Sequence, residues 1–404
     1  MQSIYDLGVL GGGAAGIFGA IAAKEAAPHL QVVLFEKSGV LLSKVRVSGG
    51  GRCNVTHACF DPKKLIQHYP RGGRELLGPL HRFQPKDTIA WFEERGVKLK
   101  TEEDGRIFPV TDSSETIIRC LLTEAQKLGV EIYTHKRPQM VSKAEEGFRL
   151  EFPEPLLCKN LLLATGSSKE GYAWATSLGH SIQEPVPSLF TLNVPTSPLK
   201  ELSGVAVDPV RLRIAETSLV QEGALLITHF GFSGPAALKL SAWGARAFYE
   251  KAYNVDLYVH WVPLFSEEEV FQKLLRCKRE EAHKNLLADN PFSLPKNLWR
   301  VLVASEEKRL ADVSHAQLKG LAAKLCADRY RVEGKTTHKE EFVTCGGVAL
   351  KEVDFKTMQS KICPDLFFAG EILDIDGVTG GFNFQNAWTT AYIAGASQEY
   401  GKGV

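Results

Sequence analysis

Three glycines at the end of the first apolar run constrain this chain more than any other feature. Ile4–Leu10 is a short apolar run carrying one acid, and Gly11-x-Gly13-x-x-Gly16 follows it at once. Ala14–Ala27 is Ala-rich and periodic, and Gln31–Phe35 is a second β-rich run that ends on Glu36. The order predicts strand, tight turn, helix and strand, a βαβ unit. In such a turn the first glycine permits the bend and the second lets backbone approach a pyrophosphate. The third lets the helix pack on the strand. The helix start then offers free N–H groups and a positive dipole end to phosphates. Glu36 follows Gly16 by 20 residues, where a carboxylate accepts hydrogen bonds from ribose hydroxyls. The glycines alone would fit a plain turn; with strand, helix and acid in register they predict a dinucleotide site. Ala15 and Lys37, beside the turn and the acid, belong to the same set.

A chain of 404 residues exceeds what one hydrophobic core sustains, so two or three domains are expected. Residues Glu184–Ser188, with Pro185 and Pro187, mark a boundary. Before it, the Asp61–Gly129 segment mixes amphipathic helices with a hairpin near Asp104-Gly105. Its last helix starts after Asp112, with Glu115 completing a capping box and Gly129 closing it. Val130–Thr134 and Leu161–Ala164 read as further strands of the first sheet. From Leu189 to Val262 short alternating strands predict a small barrel or sandwich without βα alternation. From Ser266 the pattern is helical, with capping boxes at Ser266/Glu269 and Ser314/Gln317. After Gly334 strands return at Glu341–Val343 and Leu366–Ala369, and a last helix runs near Asn386–Gln398.

Charge and cysteine usage narrow the function classes. The 48 basic and 47 acidic residues leave a net charge of +1, without the basic excess or stripe of a dedicated nucleic-acid binder, so no nucleic-acid partner is expected. The eight cysteines include no CxxC pair, and no histidine cluster has zinc spacing, so no metal is expected. An acid stands near the N-terminus where a signal peptide carries positive charge, and no run of about 20 apolar residues exists to span a bilayer. The expectation is a cytoplasmic chain with reduced thiols, a small-molecule substrate and no membrane partner. Oligomeric state stays open.

Several further segments carry a family likeness. Ser48-Gly49-Gly50-Gly51-Arg52-Cys53-Asn54 resembles the SGGGRCN signature of a bacterial flavoprotein family, known as NAD(P)/FAD-dependent oxidoreductases or as the aminoacetone oxidase family. A bile-acid oxidoreductase has been placed among its members. Gly105–Pro109 looks like the family's GRxFP strand, and Leu366–Gly381 followed by Phe382-Asn383 is similar to its C-terminal flavin motif. Thr228–Pro235 and Thr344–Val348 also match family positions. The resemblance implies an α/β fold: a two-dinucleotide-type, Rossmann-like FAD-binding domain interrupted by a β-rich domain and a small helical domain. The corresponding boundaries are 1–186 with 338–404, 187–262 with 328–337, and 263–327.

By matched position, Lys44 and the loop Ser48, Gly49, Gly51, Arg52, Cys53 and Asn54 would line the isoalloxazine. Gly370 and Glu371 would approach the ribityl–pyrophosphate region, with Glu where many flavoproteins carry Asp. Thr165 and Gly166 fit the strand-end turn past the cofactor. Gly380, Gly381 and Asn383 would sit at the start of the last helix, whose dipole favours negative charge on a reduced flavin. Relatives often read Thr-Asn where this chain has Thr56-His57, and the loop Ser167–Gly171 is short.

Other residues keep two readings. Cys53 is a redox partner of the flavin or, without a resolving CxxC mate, a small packing residue. Arg52 anchors a substrate or flavin, or forms an ion pair. His229 is an acid/base near the substrate or a hydrogen-bonded residue of the β-rich domain. Asp374 and Asp376 bind flavin hydroxyls or form the turn before Gly377. Asn383 and Gln385 approach the flavin or cap the helix. The function expected is hydride transfer through flavin N5 with a small organic substrate, with NAD(P)H as a transient co-substrate. The rivals are a flavin-dependent RNA-modifying protein and a non-enzymatic FAD-binding sensor. No catalytic acid or base can be assigned from spacing.

Overall fold

The computed structural model describes residues 4–288, 290–303, 308–336 and 343–398. The chain divides into two compact units, Met1–Val186 with Lys339–Val404, and Pro187–His338.

The first unit is built on a parallel sheet. Strand β1 (Ile4–Leu10) pairs with β2 (Val32–Phe35), which pairs in turn with β3 (Glu131–Tyr133). On its other side β1 pairs with β4 (Leu156–Leu163), and β4 with β5 (Leu366–Phe368). Every residue of β2 and β5 is buried, as expected of strands covered on both faces. Helix α1 (Ala14–Ala26) is buried along Ala15–Ala23, and its small residues allow close packing. A Cβ on Gly19 would lie 2.7 Å from the Leu162 side chain, and one on Gly395 would lie 2.5 Å from the Gly19 carbonyl. Gly395 belongs to α3 (Phe382–Ala396), so the first and last helices of this unit meet almost backbone to backbone. Phe18 joins them to Trp91 and Trp388, with ring centroids 4.8 and 5.3 Å away. The residues between Gly16 and Gly370 thus return the chain to the helix at which it started.

Helix α2 (Ser114–Lys127) buries Ile117, Ile118, Leu121 and Ala125. The capping box expected between Asp112 and Glu115 is not formed. Ser113 is the N-cap and makes no side-chain cap; Asp112 instead accepts from Lys100 at 2.5 Å, and Glu115 pairs with Arg46. Long-range cations therefore outcompete the local cap. A three-stranded antiparallel sheet of Thr56–His57, Arg106–Pro109 and Leu99–Thr101 confirms the hairpin around Gly105. Val343–Val348 pairs with Ile182–Ser188; Glu341, expected to open that strand, lies outside the described residues.

The second unit is an antiparallel sheet in the order Asp328–Glu333, Asn254–His260, Ala206–Ile214, Val220–Ile227, Gly231–Ser233, Thr191–Asn193, Lys335–Thr336. The stretch Asp328–Thr336 pairs with Asn254–His260 through its first part and with Thr191–Asn193 through its last. The sheet therefore closes on itself as a small barrel. Two helices, Gly234–Trp243 and Ala245–Glu250, interrupt the strands where the pattern showed strands alone; Pro235 in the first turn is the helix signal there. Both predicted capping boxes, at Ser266/Glu269 and Ser314/Gln317, are formed. Leu212, Leu257 and Val332 of the barrel share one core with Leu274, Trp299 and Leu318 of the helices.

Candidate functional site

The glycine turn is folded against itself. A Cβ on Gly16 would sit 1.8 Å from the Gly11 carbonyl oxygen, so only glycine closes this turn. Gly13 is the N-cap of α1, without a side-chain cap, and a Cβ there would meet nothing within 4 Å. The open side of the turn thus faces away from protein at the residue whose backbone can approach a phosphate. Glu36 accepts from the Gly12 N–H and the Ser38 N–H, one through each carboxylate oxygen, both at 2.8 Å. Each oxygen keeps a lone pair for a further donor.

Beside it, at the carboxyl ends of β1 and β2, lies a small cavity of about 40 Å³ between Leu10, Gly11, Phe35, Glu36, Thr165 and Trp174. The Thr165 hydroxyl is buried and has no partner among the described residues. Lys37 and Arg137 line the same cavity and both pair with Glu170, at 3.2 and 2.9 Å. The Glu170 carboxyl is held down to about 2 by its own backbone N–H and the Ser168 hydroxyl, with Lys37 adding to them.

The C-terminal motif closes over the start of α1. A Cβ on Gly370 would lie 2.7 Å from Ala15 Cβ, and the Gly370 N–H donates to Thr390 Oγ1 at 2.9 Å. Glu371 accepts from the Thr344 N–H at 3.1 Å and forms an ion pair with Lys44. A Cβ on Gly166 would be 3.6 Å from the same Glu371 carboxylate. Lys44, Gly166, Thr344 and Glu371, from four separate segments, therefore converge. The phenol of Tyr172 is buried without a partner among the described residues; burial, then the charges of Glu371 and Asp374, pushes its pKa up. Asp374 also lies within the field of Arg71. Asp376 is fully buried and is held by Arg71 through both carboxylate oxygens, which gives it a structural role.

The glycine-rich loop breaks the helical segment Ser43–Gly51. Gly49, Gly50 and Gly51 are all left-handed, with φ of 58°, 69° and 85°, a run that side chains would strain. Ser48 donates through Oγ to the Val45 carbonyl at 2.9 Å and accepts from the Cys53 N–H at 3.0 Å. Arg52 lies 4.0 Å from the centroid of the Phe108 ring and pairs with Glu102 at 2.7 Å, the ion-pair reading. Cys53 is fully buried and its thiol is pushed up to about 12 by burial. It is therefore protonated at neutral pH and packs as a small core residue.

This loop is tied to the last helix. With its amide oriented to match its neighbours, Asn54 donates to the Thr56 carbonyl at 2.9 Å and accepts from the Gly381 N–H at 3.0 Å. Gly381 is the N-cap of α3, and Gly380 precedes it. The Asn383 amide closes a two-way pair with the backbone of Gly377, at 2.8 and 2.9 Å, and so holds the turn. Gln385 is buried, accepts from Thr56 at 2.6 Å and Thr88 at 3.0 Å, and donates to Thr389 at 3.0 Å. It braces the helix start.

Sequence reasoning missed a ring stack at this place. Phe382 packs against both His68 and His57, with centroids 4.2 and 4.7 Å away. Burial lowers the His57 pKa. It also missed the buried phenol of Tyr172 and the parts played by Thr344, Arg71 and Thr390, whose partners are distant in sequence. His229 belongs to the second unit, where it is exposed at the tip of the turn Thr228–Gly231. Its side chain makes no hydrogen bond among the described residues, unlike the hydrogen-bonded residue of the β-rich domain expected.

The site-forming segments run from Gly11 to Asn383, and a single family description spans them. The model of the HI0933-like protein Rossmann domain matches residues 5–397. The chain belongs to that family. A ribosomal RNA dihydrouridine synthase of Escherichia coli (strain K12) is 30% identical over 96% of this chain and 96% of its own. A 3-dehydro-bile acid delta(4,6)-reductase of Clostridium scindens is 28% identical over 96% of this chain and 98% of its own. The structure of a flavocytochrome c3 fumarate reductase in its open conformation superposes with a TM-score of 0.52. It is 15% identical and covers 98% of this chain and 78% of that one, a likeness of fold. Family and relatives place the chain among FAD-dependent oxidoreductases.

The residues present fit FAD. The open face at Gly13 accommodates a pyrophosphate, the free lone pairs of Glu36 suit ribose hydroxyls, and the orphaned Thr165 hydroxyl awaits a partner. Among the described residues no helix is long and apolar enough to cross a membrane.

Proposed function

We propose that this chain is an FAD-dependent reductase that adds hydrogen across a carbon–carbon double bond conjugated to a carbonyl. One observation carries the reading. The chain aligns over 96% of its length with two reductive enzymes whose names denote different molecules, a bile acid and a uridine of ribosomal RNA. The chemistry common to the two names is saturation of a double bond activated by a neighbouring carbonyl. When bound, FAD supplies hydride through its N5 position, with NAD(P)H as a transient electron donor.

The chain's own residues then have definite tasks. Gly11, Gly13 and Gly16, with Ala15 behind them, present the α1 N-terminus to the pyrophosphate. Glu36 holds the ribose, and Lys37 and Thr165 complete that end. The Lys44–Glu371 pair, braced by Thr344 N–H and flanked by Gly166, Gly370 and Asp374, lies along the ribityl chain. Ser48, Gly49, Gly51, Arg52 and Asn54 would shape the wall of the ring system, with Cys53 packed behind them. The start of α3, held open by Gly380, Gly381 and Asn383, directs backbone N–H groups and a positive dipole end at developing negative charge. Stacked rings at Phe382 keep water from that side.

The reading includes a cytoplasmic location, supported by eight cysteines that form no disulfide. Its test is anaerobic incubation of the FAD-loaded chain with NADH or NADPH and either a 3-oxo-Δ4 steroid or uridine-containing RNA. Mass spectrometry then reports whether a saturated product forms. Absence of product from both, with flavin that NAD(P)H does reduce, rejects the reading.

A further inference from the structure

The barrel of the second unit carries a surface that the flavin site does not use. Because side chains alternate along a strand, Arg211 and Arg213 share the outer face of Ala206–Ile214, while Val210, Leu212 and Ile214 fill the core. Register sets their neighbours. Arg213 stands opposite Tyr258, and Tyr258 opposite Arg329. Arg211 stands opposite His260, and Arg331 opposite Asp256. Four guanidinium groups thus lie on one exposed face of three adjacent strands, with the carboxylates of Asp256 and Glu333 on the same face and Glu222 on the next strand.

Asp256 holds Arg329 at 2.8 Å and Arg331 at 3.5 Å, and Glu222 holds Arg211 at 2.5 Å. Arg213 has no carboxylate among the described residues. It is exposed, with its guanidinium 4.5 Å from the centroid of the Tyr258 ring. Each paired arginine still has most of its five N–H donors free. Glu333 marks the end of this face.

The face continues into a cleft. Beside the strand Asp328–Glu333 lies a cavity of about 210 Å³, lined by Leu199, Leu302, Lys324, Asp328, Arg329 and Arg331 among others. Cations alternating with an aromatic ring on a β-barrel suit a polyanion whose bases can stack, which is the composition of unpaired RNA. A chain-wide net charge of +1 conceals such a face, because it averages over both units.

We propose that this face and cleft are an RNA-docking surface, with phosphates on Arg211, Arg213, Arg329 and Arg331 and an unpaired base in the cleft. The proposal rests on the reductase reading and assigns its substrate to RNA. The test uses the full FAD-loaded chain with two probes, fluorescein-labelled oligouridylate and bacterial ribosomal RNA, titrated at several salt concentrations. The parent is expected to bind both, with log affinity falling linearly against log salt.

Arg213→Glu is expected to weaken binding at least tenfold, and Arg213→Gln to lower the salt slope by about 1, the share of one phosphate contact. Tyr258→Ala is expected to weaken oligouridylate binding while leaving that slope in place. FAD content and visible spectrum report folding in each variant. Unchanged affinity and slope in the Arg213 variants overturn the proposal. So does equal affinity for anionic phosphatidylglycerol vesicles. Reduction of a steroid enone by a parent that binds neither RNA overturns the RNA assignment and leaves the reductase reading standing; saturation of neither substrate removes the reading itself.

Discussion

Replacing Glu36 by glutamine changes one atom and tests the nucleotide end of the site sharply. Both carboxylate oxygens accept backbone N–H groups at 2.8 Å, from Gly12 and from Ser38. An amide has one oxygen, so in either orientation its NH2 group faces an N–H donor. One charge-assisted hydrogen bond is lost, worth about 1.5–3 kcal/mol. The bond to the ribose hydroxyl also weakens, since a neutral acceptor gives roughly half the strength of a charged one. The first loss is shared by the free and the loaded chain and lowers stability; the second, about 1–1.5 kcal/mol, lowers FAD affinity about tenfold at about 1.4 kcal/mol per decade. The assay is titration of the apo chain with FAD, followed by quenching of flavin fluorescence, for the parent, Glu36→Gln and Glu36→Ala. The account expects glutamine to fall between the parent and alanine. A glutamine variant with the parent's dissociation constant refutes it, because the lone pairs of both oxygens would then be dispensable.

Four more expectations follow from the same geometry. Gly13→Ala should change the thermal midpoint of the apo chain little, costing under about 1 kcal/mol at an N-cap, yet weaken FAD more than tenfold, since its Cβ enters open space. Gly16→Ala places Cβ against the Gly11 carbonyl and should cost about 3 kcal/mol; calorimetry with and without FAD separates the two. Arg71→Met removes the cation from fully buried Asp376 and should cost about 3–5 kcal/mol, read from the urea midpoint, with Arg71→Lys recovering part of it. Burial lowers the pKa of His57 and of His180, so the unfolded chain binds more protons than the native one. Their stability contribution is complete above their ordinary pKa of 6.5 and is lost as pH falls through the lower native values. Urea midpoints between about pH 8 and 5 should therefore drop on the acid side, and less steeply in His180→Gln.

How much of this could be read from the sequence depended on distance along the chain. The turn Gly11–Gly16 and Glu36 were legible because strand, helix and acid lie within one short unit. The capping boxes at Ser266 and Ser314 were legible because their partners are three residues away. The Asp112 cap failed because Lys100 and Arg46 supplied stronger partners from outside the window. The loop Ser48–Asn54 could be recognised, but its attachment to the Gly381 N–H could not, and neither could Lys44 meeting Glu371 from 327 residues away. The bidentate Arg71–Asp376 pair turned a plausible cofactor ligand into a buried strut. The face built from Arg213, Tyr258 and Arg329 depends on strand register, and alternation alone does not say which strands are neighbours.

The central claim is tested most directly by single-turnover reoxidation. FAD bound to the chain is reduced under anaerobic conditions, freed of excess reductant and mixed with uridine-containing ribosomal RNA or a 3-oxo-Δ4 steroid, while the flavin absorbance is followed. The account predicts recovery of the oxidised flavin spectrum and one saturated product per flavin, with RNA the faster oxidant. A flavin that stays reduced in the presence of both, and regains its colour only when oxygen is admitted, contradicts it.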